Sequence, residues 1–174
     1  MKSAADCVAD DALSRRRVVI GIGEFAVSNH PGDVIVTHAL GSCIAVCIFD
    51  PVAAVAGMLH LLLPEASINP ERARTQPAVF ADTGIPLLFQ TASEYGLVRQ
   101  RTIAKLVGGA EMTPVSGTQF GTGRRNVLAA RNLLWRNGVF VSGQDTGGTG
   151  ARTLHLSVAN GRLEIFNSQT YKEL

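Results

Sequence analysis

One cysteine and one histidine of this 174-residue chain are placed where a thiol and a base could act together. Cys43 follows Gly41 and Ser42 at the start of the apolar run CIAVCIF, and His60 lies inside a second apolar run, GMLHLLL. A thiol needs a nearby base to become a thiolate nucleophile, and an imidazole can accept that proton. The two residue types therefore predict nucleophilic catalysis by Cys43.

The spacing of the two apolar runs predicts that Cys43 and His60 face each other. The runs 43–49 and 57–63 flank a break at Asp50-Pro51, which is typical of a β-hairpin. A turn centred just after Pro51 would place Cys43 opposite His60, and directly opposed Cβ atoms are about 5 Å apart. A longer turn would shift this register.

Each of the two residues alone also has an ordinary structural interpretation. A histidine bonded to a carbonyl group and a cysteine acting as a small apolar side chain are common in protein cores. The pair favours catalysis, because each residue supplies what the other needs.

Catalysis by this pair needs further groups around it. A third group must orient the imidazole, and Thr37 could do so through its hydroxyl or its carbonyl group. The backbone N–H groups of Gly41, Ser42 and Cys43 are candidate oxyanion donors. Gly41 could equally serve only to permit a tight turn.

The elements that would position these residues are mainly strands. β-Branched and apolar runs predict strands at 17–22, 34–37, 43–49, 57–63, 102–107, 139–142, 152–158 and 162–166. Helical periodicity predicts helices at about 82–95 and 124–137, the second with Leu128 and Trp135 in its apolar stripe. Residues 65–80 and 110–123 are predicted loops. About eight strands and two helices favour an α+β fold.

Composition excludes several function classes. With 16 Lys+Arg against 14 Asp+Glu, the chain has no basic field for nucleic acid. No apolar run reaches the roughly 20 residues that span a bilayer, so no membrane insertion is predicted. Residues 1–17 lack the apolar core of a signal peptide and are predicted to be a mobile tail before a single domain at 18–174.

The cysteine spacing and the glycine motif argue against a disulfide framework, a zinc site and a dinucleotide site. Three cysteines without a C-x-x-C pair argue against a disulfide framework and a zinc site, and favour a cytoplasmic location. Gly21-x-Gly23 resembles a dinucleotide fingerprint, but the turn 29–32 leaves no helix to follow it. The sequence therefore predicts no metal and no cofactor.

Six motifs of the chain, in order and with short gaps, resemble the CheD family, the chemoreceptor glutamine deamidases of bacterial chemotaxis. The motifs are GIGEFAV (21–27), VIVTHALGSCIAVCIFDP (34–51), GMLHLLLP (57–64), GGA (108–110), GRRNV (123–127) and DTGGTGAR (145–152). The resemblance covers roughly residues 18–166.

This resemblance implies a catalytic triad of Cys43, His60 and Thr37. It implies a layered α/β/β sandwich of mixed β-sheets with two main helices, similar to CheD and to cysteine hydrolases of the cytotoxic-necrotizing-factor type. The implied activity is that of a protein-glutamine glutaminase, which deamidates glutamines of methyl-accepting chemoreceptors through a thioester and releases ammonia.

The resemblance also implies two partners, the chemoreceptor cytoplasmic domain as substrate and a CheC-type phosphatase. Two alternatives stay open. One is an adaptor that binds such a phosphatase with little catalysis. The other is a thiol hydrolase of receptor methyl esters.

Overall fold

Two β-sheets and a layer of helices make up the described chain. The computed structural model describes residues 16–111, 121–168 and 170–174. The strands are β1 (Arg16–Ile20), β2 (Glu24–Ser28), β3 (Asp33–Leu40), β4 (Ile44–Asp50), β5 (Val55–Leu61), β6 (Ile103–Gly108), β7 (Val141–Thr146), β8 (Arg152–Ser157), β9 (Leu163–Phe166) and β10 (Tyr171–Glu173). The α-helices are α1 (Pro70–Thr75), α2 (Ala81–Glu94) and α3 (Thr122–Arg136), and short 3-10 turns lie at 66–68, 77–79 and 99–101. Within these ranges no helix has the length and apolar character needed to cross a bilayer.

Both sheets contain parallel and antiparallel pairs. Sheet A has the strand order β1-β3-β8-β9-β10, with β1 parallel to β3. Sheet B has the order β2-β5-β4-β6-β7, with β6 parallel to β7. The remaining pairs are antiparallel. The predicted α+β class is confirmed, with two mixed sheets and few helices.

Sheet B lies between sheet A and the helices. One face of its central strands, with Val46 and Leu59, packs in a core shared with α2 and α3. The opposite face, with Cys47 and Met58, packs in a core shared with Leu154 and other side chains of sheet A. Every residue of β4 and β5 is consequently buried, as predicted for strands covered on both faces.

The chain crosses from sheet A to sheet B twice at one end of this sandwich. Residues 21–23 connect β1 to β2, and residues 41–43 connect β3 to β4. Because β1 and β3 are parallel, both crossovers leave sheet A at the same edge. The second crossover carries Cys43, and the first is tied to β5 by a 2.7 Å hydrogen bond from Gly23 N–H to the His60 carbonyl oxygen.

The β4–β5 hairpin has a register two residues from the predicted one. His60 pairs with Ala45, so the prediction that it lies directly opposite Cys43 is wrong. The turn between the strands has four residues, and the Asp50 carboxylate stabilises it by accepting hydrogen bonds from two of its N–H groups. Since a two-residue shift preserves the alternation of side chains, Cys43 and His60 still face the same side of sheet B.

The sequence patterns miss β2, β10 and α1. The edge strand β2 has half-buried side chains and shows little alternation. Helix α1 lies inside the predicted loop 65–80 and has only six residues, too few for a helical period to show. Its start does carry a signal, because the Asn69 side chain accepts from Arg72 N–H and Pro70 occupies the first helical position.

Helix α3 has a narrower buried face than its sequence pattern predicts. Ala130 and Leu134 are fully buried, whereas Leu128 is 44% and Trp135 is 66% exposed. The prediction that Trp135 is a core residue is wrong. One residue along a helix turns its side chain by about 100°, which carries Trp135 away from the sheet that Leu134 contacts.

The predicted tail, residues 1–17, lies outside the described residues apart from Arg16 and Arg17, which begin β1. Most of the predicted loop 110–123 also lies outside them.

Gly123 allows the first turn of α3 to approach the residues that follow β6. A Cβ atom at this position would lie 2.5 Å from the carbonyl oxygen of Gly109 and 2.7 Å from that of Ala110. Backbone atoms cannot turn aside as a side chain can. We therefore expect Gly123→Ala to lower the free energy of unfolding by about 1–3 kcal/mol, although alanine is the better helix former.

Urea denaturation of the variant and the parent protein measures this change. Gly150→Ala is the matched control, because a Cβ atom there meets open space, and its stability should stay within about 0.5 kcal/mol of the parent. Equal stability of Gly123→Ala and the parent would contradict the close approach.

Candidate functional site

A hydrogen bond between the two sheets orients His60. The hydroxyl oxygen of Thr37, on β3, lies 2.8 Å from Nδ1 of His60, on β5, and 2.9 Å from the carbonyl oxygen of Ile20. A carbonyl oxygen can only accept, and the hydroxyl has a single hydrogen. Thr37 therefore donates to Ile20 and accepts from the Nδ1–H group of His60.

This arrangement determines which nitrogen of His60 is available. With the proton on Nδ1, the neutral ring carries its lone pair on Nε2. Nε2 is buried and has no hydrogen-bond partner among the described residues. A nitrogen in this state can act as a general base.

Cys43 lies on the same side of sheet B as His60. It precedes β4 by one residue, and its side chain packs in the core between the sheets with 6% of the residue exposed. Continuing the strand register places Cys43 beside Leu62, so His60 is its diagonal neighbour. Diagonal neighbours are about 7–8 Å apart, within reach of an imidazole ring. Thr37 and His60 therefore meet between the sheets, and Cys43 lies on the same face of sheet B as His60. Among the described residues, the thiol and the imidazole are not joined by a hydrogen bond.

Burial keeps both reacting groups neutral. It lowers the pKa of His60 to about 4, against an upward effect of the Glu24 carboxylate on the neighbouring strand. It also raises the pKa of the Cys43 thiol, while the backbone N–H of Cys43 acts in the opposite direction. At neutral pH the site therefore holds a thiol and a neutral imidazole, so an attack by the sulfur would require the proton to move from the thiol.

The crossover at 41–43 is held through its carbonyl groups. Each carbonyl oxygen accepts one hydrogen bond from the segment after β6 or from α3. Gly41 accepts from the Ala110 N–H group at 2.8 Å, and Cys43 accepts from the Gly109 N–H group at 2.7 Å. Ser42 accepts from the side-chain Nδ2 group of Asn126 at 3.0 Å. In a trans peptide the N–H points away from the C=O. The N–H groups of Ser42 and Cys43 therefore point away from these donors, and neither donates to another residue that the structure describes.

Two backbone features shape this crossover. Gly108 has φ 115°, and a Cβ atom there would overlap the carbonyl oxygen of Cys43. A β-bulge after Thr37 adds one residue to β3 and places Ala39 at φ 56°. Of residues 37–43, Ala39 is the one in the left-handed region, so the backbone conformation of Gly41 is not one that requires glycine.

Sequence reasoning misses one residue of this site, Asn126. Its side chain is fully buried against the carbonyl groups of Ser42 and Leu62. It lies within the GRRNV motif, which is the only sequence signal that could have singled it out. Its spacing on the helix indicates nothing about a partner in another element.

Metal binding has no support in the described ranges. They contain no group of three or more His, Cys, Asp or Glu side chains that could hold an ion.

Comparison with known proteins places the chain in a family. The profile described as "CheD chemotactic sensory transduction" matches residues 62–167. "Probable chemoreceptor glutamine deamidase CheD 1" of Syntrophus aciditrophicus is 42% identical over 151 residues, which are 87% of this chain and 94% of the relative. The chain belongs to the CheD family. The predicted resemblance is confirmed.

The similarity to further CheD relatives extends over the site residues. "Chemoreceptor glutamine deamidase CheD" of Thermotoga maritima is 41% identical over 84% of this chain and 89% of its own length. A "probable chemoreceptor glutamine deamidase CheD" of Solibacter usitatus is 42% identical over 91% of this chain and 93% of its own length. The profile match begins two residues after His60 and does not include Thr37, Cys43 or His60, whereas these longer similarities extend over all three positions.

A solved structure has a weaker likeness. The crystal structure of the Bacillus licheniformis hypothetical protein YfiH aligns with a TM-score of 0.44 at 13% identity, over 72% of this chain and 51% of that chain. This likeness is too low to support an argument.

The lowered pKa of His60 predicts a pH-dependent stability. Unfolding restores the ordinary pKa of 6.5, so between pH 6.5 and about 4 the unfolded chain binds a proton that the folded protein does not. The stabilisation is therefore complete above pH 6.5 and is lost as the pH falls. From pH 7 to 5, the wild type should lose about 1–2 kcal/mol more free energy of unfolding than His60→Gln.

Urea denaturation at the two pH values measures this difference. His38→Gln is the control, because it removes an exposed histidine that is not part of the buried site. An identical loss in wild type and His60→Gln would show that His60 titrates normally in the folded protein.

Proposed function

We propose that this CheD-family chain is a chemoreceptor glutamine deamidase in which Cys43 is the nucleophile, His60 the general base and acid, and Thr37 the residue that orients His60. The observation that carries this proposal is the bond from His60 Nδ1–H to Thr37, which leaves Nε2 as an acceptor with no partner among the described residues, on the face that Cys43 shares. The substrate class comes from the names of the relatives.

The first half of the reaction forms a thioester. His60 Nε2 takes the proton of the Cys43 thiol as Sγ bonds to the side-chain carbonyl carbon of the glutamine. The electron pair of the C=O bond moves to its oxygen. When that pair returns, the C–N bond breaks and the nitrogen takes the proton from Nε2–H, so that ammonia leaves.

The second half restores the enzyme. A water molecule gives a proton to Nε2 and bonds to the thioester carbon. Collapse of this second intermediate breaks the C–S bond, and the sulfur takes the proton back from Nε2–H. The sum is glutamine and water giving glutamate and ammonia, with no oxidant or cofactor required.

The crossover at 41–43 suits stabilisation of both intermediates. The peptide N–H groups of Ser42 and Cys43 are adjacent to the nucleophile. The carbonyl groups of the same peptide units, those of Gly41 and Ser42, are already held from the opposite side. Donors that are oriented before the reaction stabilise an oxyanion without reorganisation. We assign Gly41 to the turn that presents these N–H groups, and Ser42 and Cys43 to the donation itself.

The site geometry favours catalysis over the adaptor alternative. A protein that only binds a phosphatase does not require a buried imidazole nitrogen to which no group in the described part of the chain donates. The same thiol chemistry would also hydrolyse a receptor methyl ester, because an ester has an equivalent carbonyl carbon and leaving group. We propose the amide as the substrate on the strength of the relatives' names.

Family membership supports three further parts of the proposal. They are a cytoplasmic location, a CheC-type phosphatase as a second partner, and a catalytic domain at 18–174, to which Arg16 and Arg17 of β1 are added. The proposed domain has the α/β/β layering of CheD and of cysteine hydrolases of the cytotoxic-necrotizing-factor type.

Incubation with a chemoreceptor cytoplasmic fragment tests the activity directly. We expect wild-type protein to convert specific glutamines to glutamate, as mapped by peptide mass spectrometry. Cys43→Ala should lower the rate more than about 10³-fold, because the nucleophile is lost.

Cys47→Ala is the matched control for this experiment. Cys47 lies on the same face of β4 as Cys43, and burial raises its pKa to about 12, so it should be inert and its replacement active. Conversion that persists in Cys43→Ala would reject the proposed nucleophile, and hydrolysis of a methyl-esterified fragment alone would favour the esterase alternative.

Replacement of Thr37 tests the orientation of His60. Thr37→Val keeps the shape of the side chain but removes the acceptor for Nδ1–H, which frees the ring to adopt the other tautomer or to turn. We expect kcat/KM for deamidation to fall about 10–100-fold, as is typical when an orienting partner is lost. Thr37→Ser, which keeps the hydroxyl, should retain most of the activity. Full activity of Thr37→Val would exclude this role.

A further inference from the structure

One asparagine side chain joins the nucleophile crossover to the strand that carries the base. Asn126 lies in the second turn of α3 and is fully buried. Its Nδ2 group donates to the carbonyl oxygen of Ser42 at 3.0 Å and to that of Leu62 at 2.8 Å. Ser42 precedes the nucleophile, and Leu62 follows His60 by two residues.

The orientation of this amide is unambiguous. Both partners of Asn126 are carbonyl oxygens, which only accept, so a flipped amide would set its own oxygen against them. The oxygen Oδ1 is buried without a hydrogen-bond partner among the residues that the structure describes. A buried acceptor of this kind loses its hydration without a hydrogen bond to replace it, which destabilises the folded protein. An apolar side chain would avoid that cost but could not hold the two carbonyl groups.

The carbonyl group of Ser42 differs from its neighbours in the crossover. The carbonyl groups of Gly41 and Cys43 accept from backbone N–H groups, which no side-chain substitution removes. The carbonyl group of Ser42 depends on the side chain of Asn126. The same peptide unit carries the N–H of Cys43, the candidate oxyanion donor nearest the sulfur.

We propose that Asn126 is a positioning residue that locks the Ser42–Cys43 peptide so that the Cys43 N–H is aimed at the oxyanion. The proposal rests on the proposed function, because an oxyanion forms only if Cys43 attacks a carbonyl carbon. Asn126 holds the peptide from the side opposite to the substrate. Asn126 therefore stabilises the transition state and does not change the affinity for the substrate.

Two reactions of Cys43 separate this role from a merely structural one. Deamidation passes through an oxyanion and needs the aimed N–H. Alkylation by iodoacetamide occurs at a tetrahedral carbon, forms no oxyanion and depends only on the thiol and its base. Loss of the positioning residue should therefore slow the first reaction and spare the second.

The test compares Asn126→Ala and Asn126→Asp with the wild type and with Asn132→Ala, an exposed asparagine on the same helix. Alanine removes the donors and keeps the helix, and aspartate keeps the shape but replaces the donor nitrogen with oxygen. We expect kcat for deamidation of the receptor fragment to fall about 10–100-fold in both variants, since loss of an oxyanion donor costs about 10²–10³-fold. KM should change less than about threefold and the alkylation rate of Cys43 less than about twofold.

Each other outcome is decisive. Unchanged kcat in a folded Asn126 variant would overturn the proposal. A parallel fall in kcat and alkylation rate, or unfolding of both variants by circular dichroism, would make Asn126 a structural residue only. Absence of conversion by the wild type, or conversion by Cys43→Ala in the same assay, would instead reject the proposed function itself.

Discussion

The hydrogen bond between Thr37 Oγ1 and His60 Nδ1 is the constraint on which the site depends, because it joins the two sheets at the point where chemistry is possible. Thr37 has its own hydrogen engaged by Ile20, so it can only accept from His60. The spacing of the sheets thereby selects one tautomer of the imidazole. A change that separates the sheets at this end would release the ring, even if it touched none of these three residues.

Burial gives the site its electrostatic character. The thiol of Cys43 and the imidazole of His60 are both held neutral, since little water reaches the space between the sheets. A neutral thiol is a poor target for oxidation or for unrelated electrophiles. In the proposed mechanism, a bound carbonyl group and the oriented N–H donors would supply what the neutral thiol lacks, and this would restrict its reactivity to a substrate that fits.

The site is assembled where the chain leaves its sheets. Both crossovers lie at the edge where β1 and β3 end, because parallel neighbours finish at the same edge. Residues 41–43 are outside the strand ladders, so their peptide groups are free to point N–H toward one side and C=O toward the other. The segment after β6 and Asn126 engage the carbonyl side. Gly108 makes this contact possible, since any side chain there would overlap the backbone of Cys43.

Much of this protein follows from its sequence. Apolar runs identify most strands and both long helices, since buried side chains recur with the period of a strand or a helix and this period is visible in a single sequence. The residue types of Cys43 and His60, with the hairpin between them, indicate thiol chemistry, and motif resemblance identifies the CheD family. The even spacing of strand positions also places both residues on one face, whatever the exact length of the turn.

Tertiary structure decided the rest. The hairpin register depended on the Asp50 carboxylate, which stabilises a four-residue turn. The bulge at Ala39 and the burial of Asn126 depend on partners in distant segments, and neither leaves a period in the local sequence. Local sequence patterns show which side chains are buried, because buried positions recur with a fixed period along each strand or helix. They do not show which polar atoms form hydrogen bonds with each other, because a hydrogen bond between residues far apart in the sequence forms only when the sheets and helices have packed together.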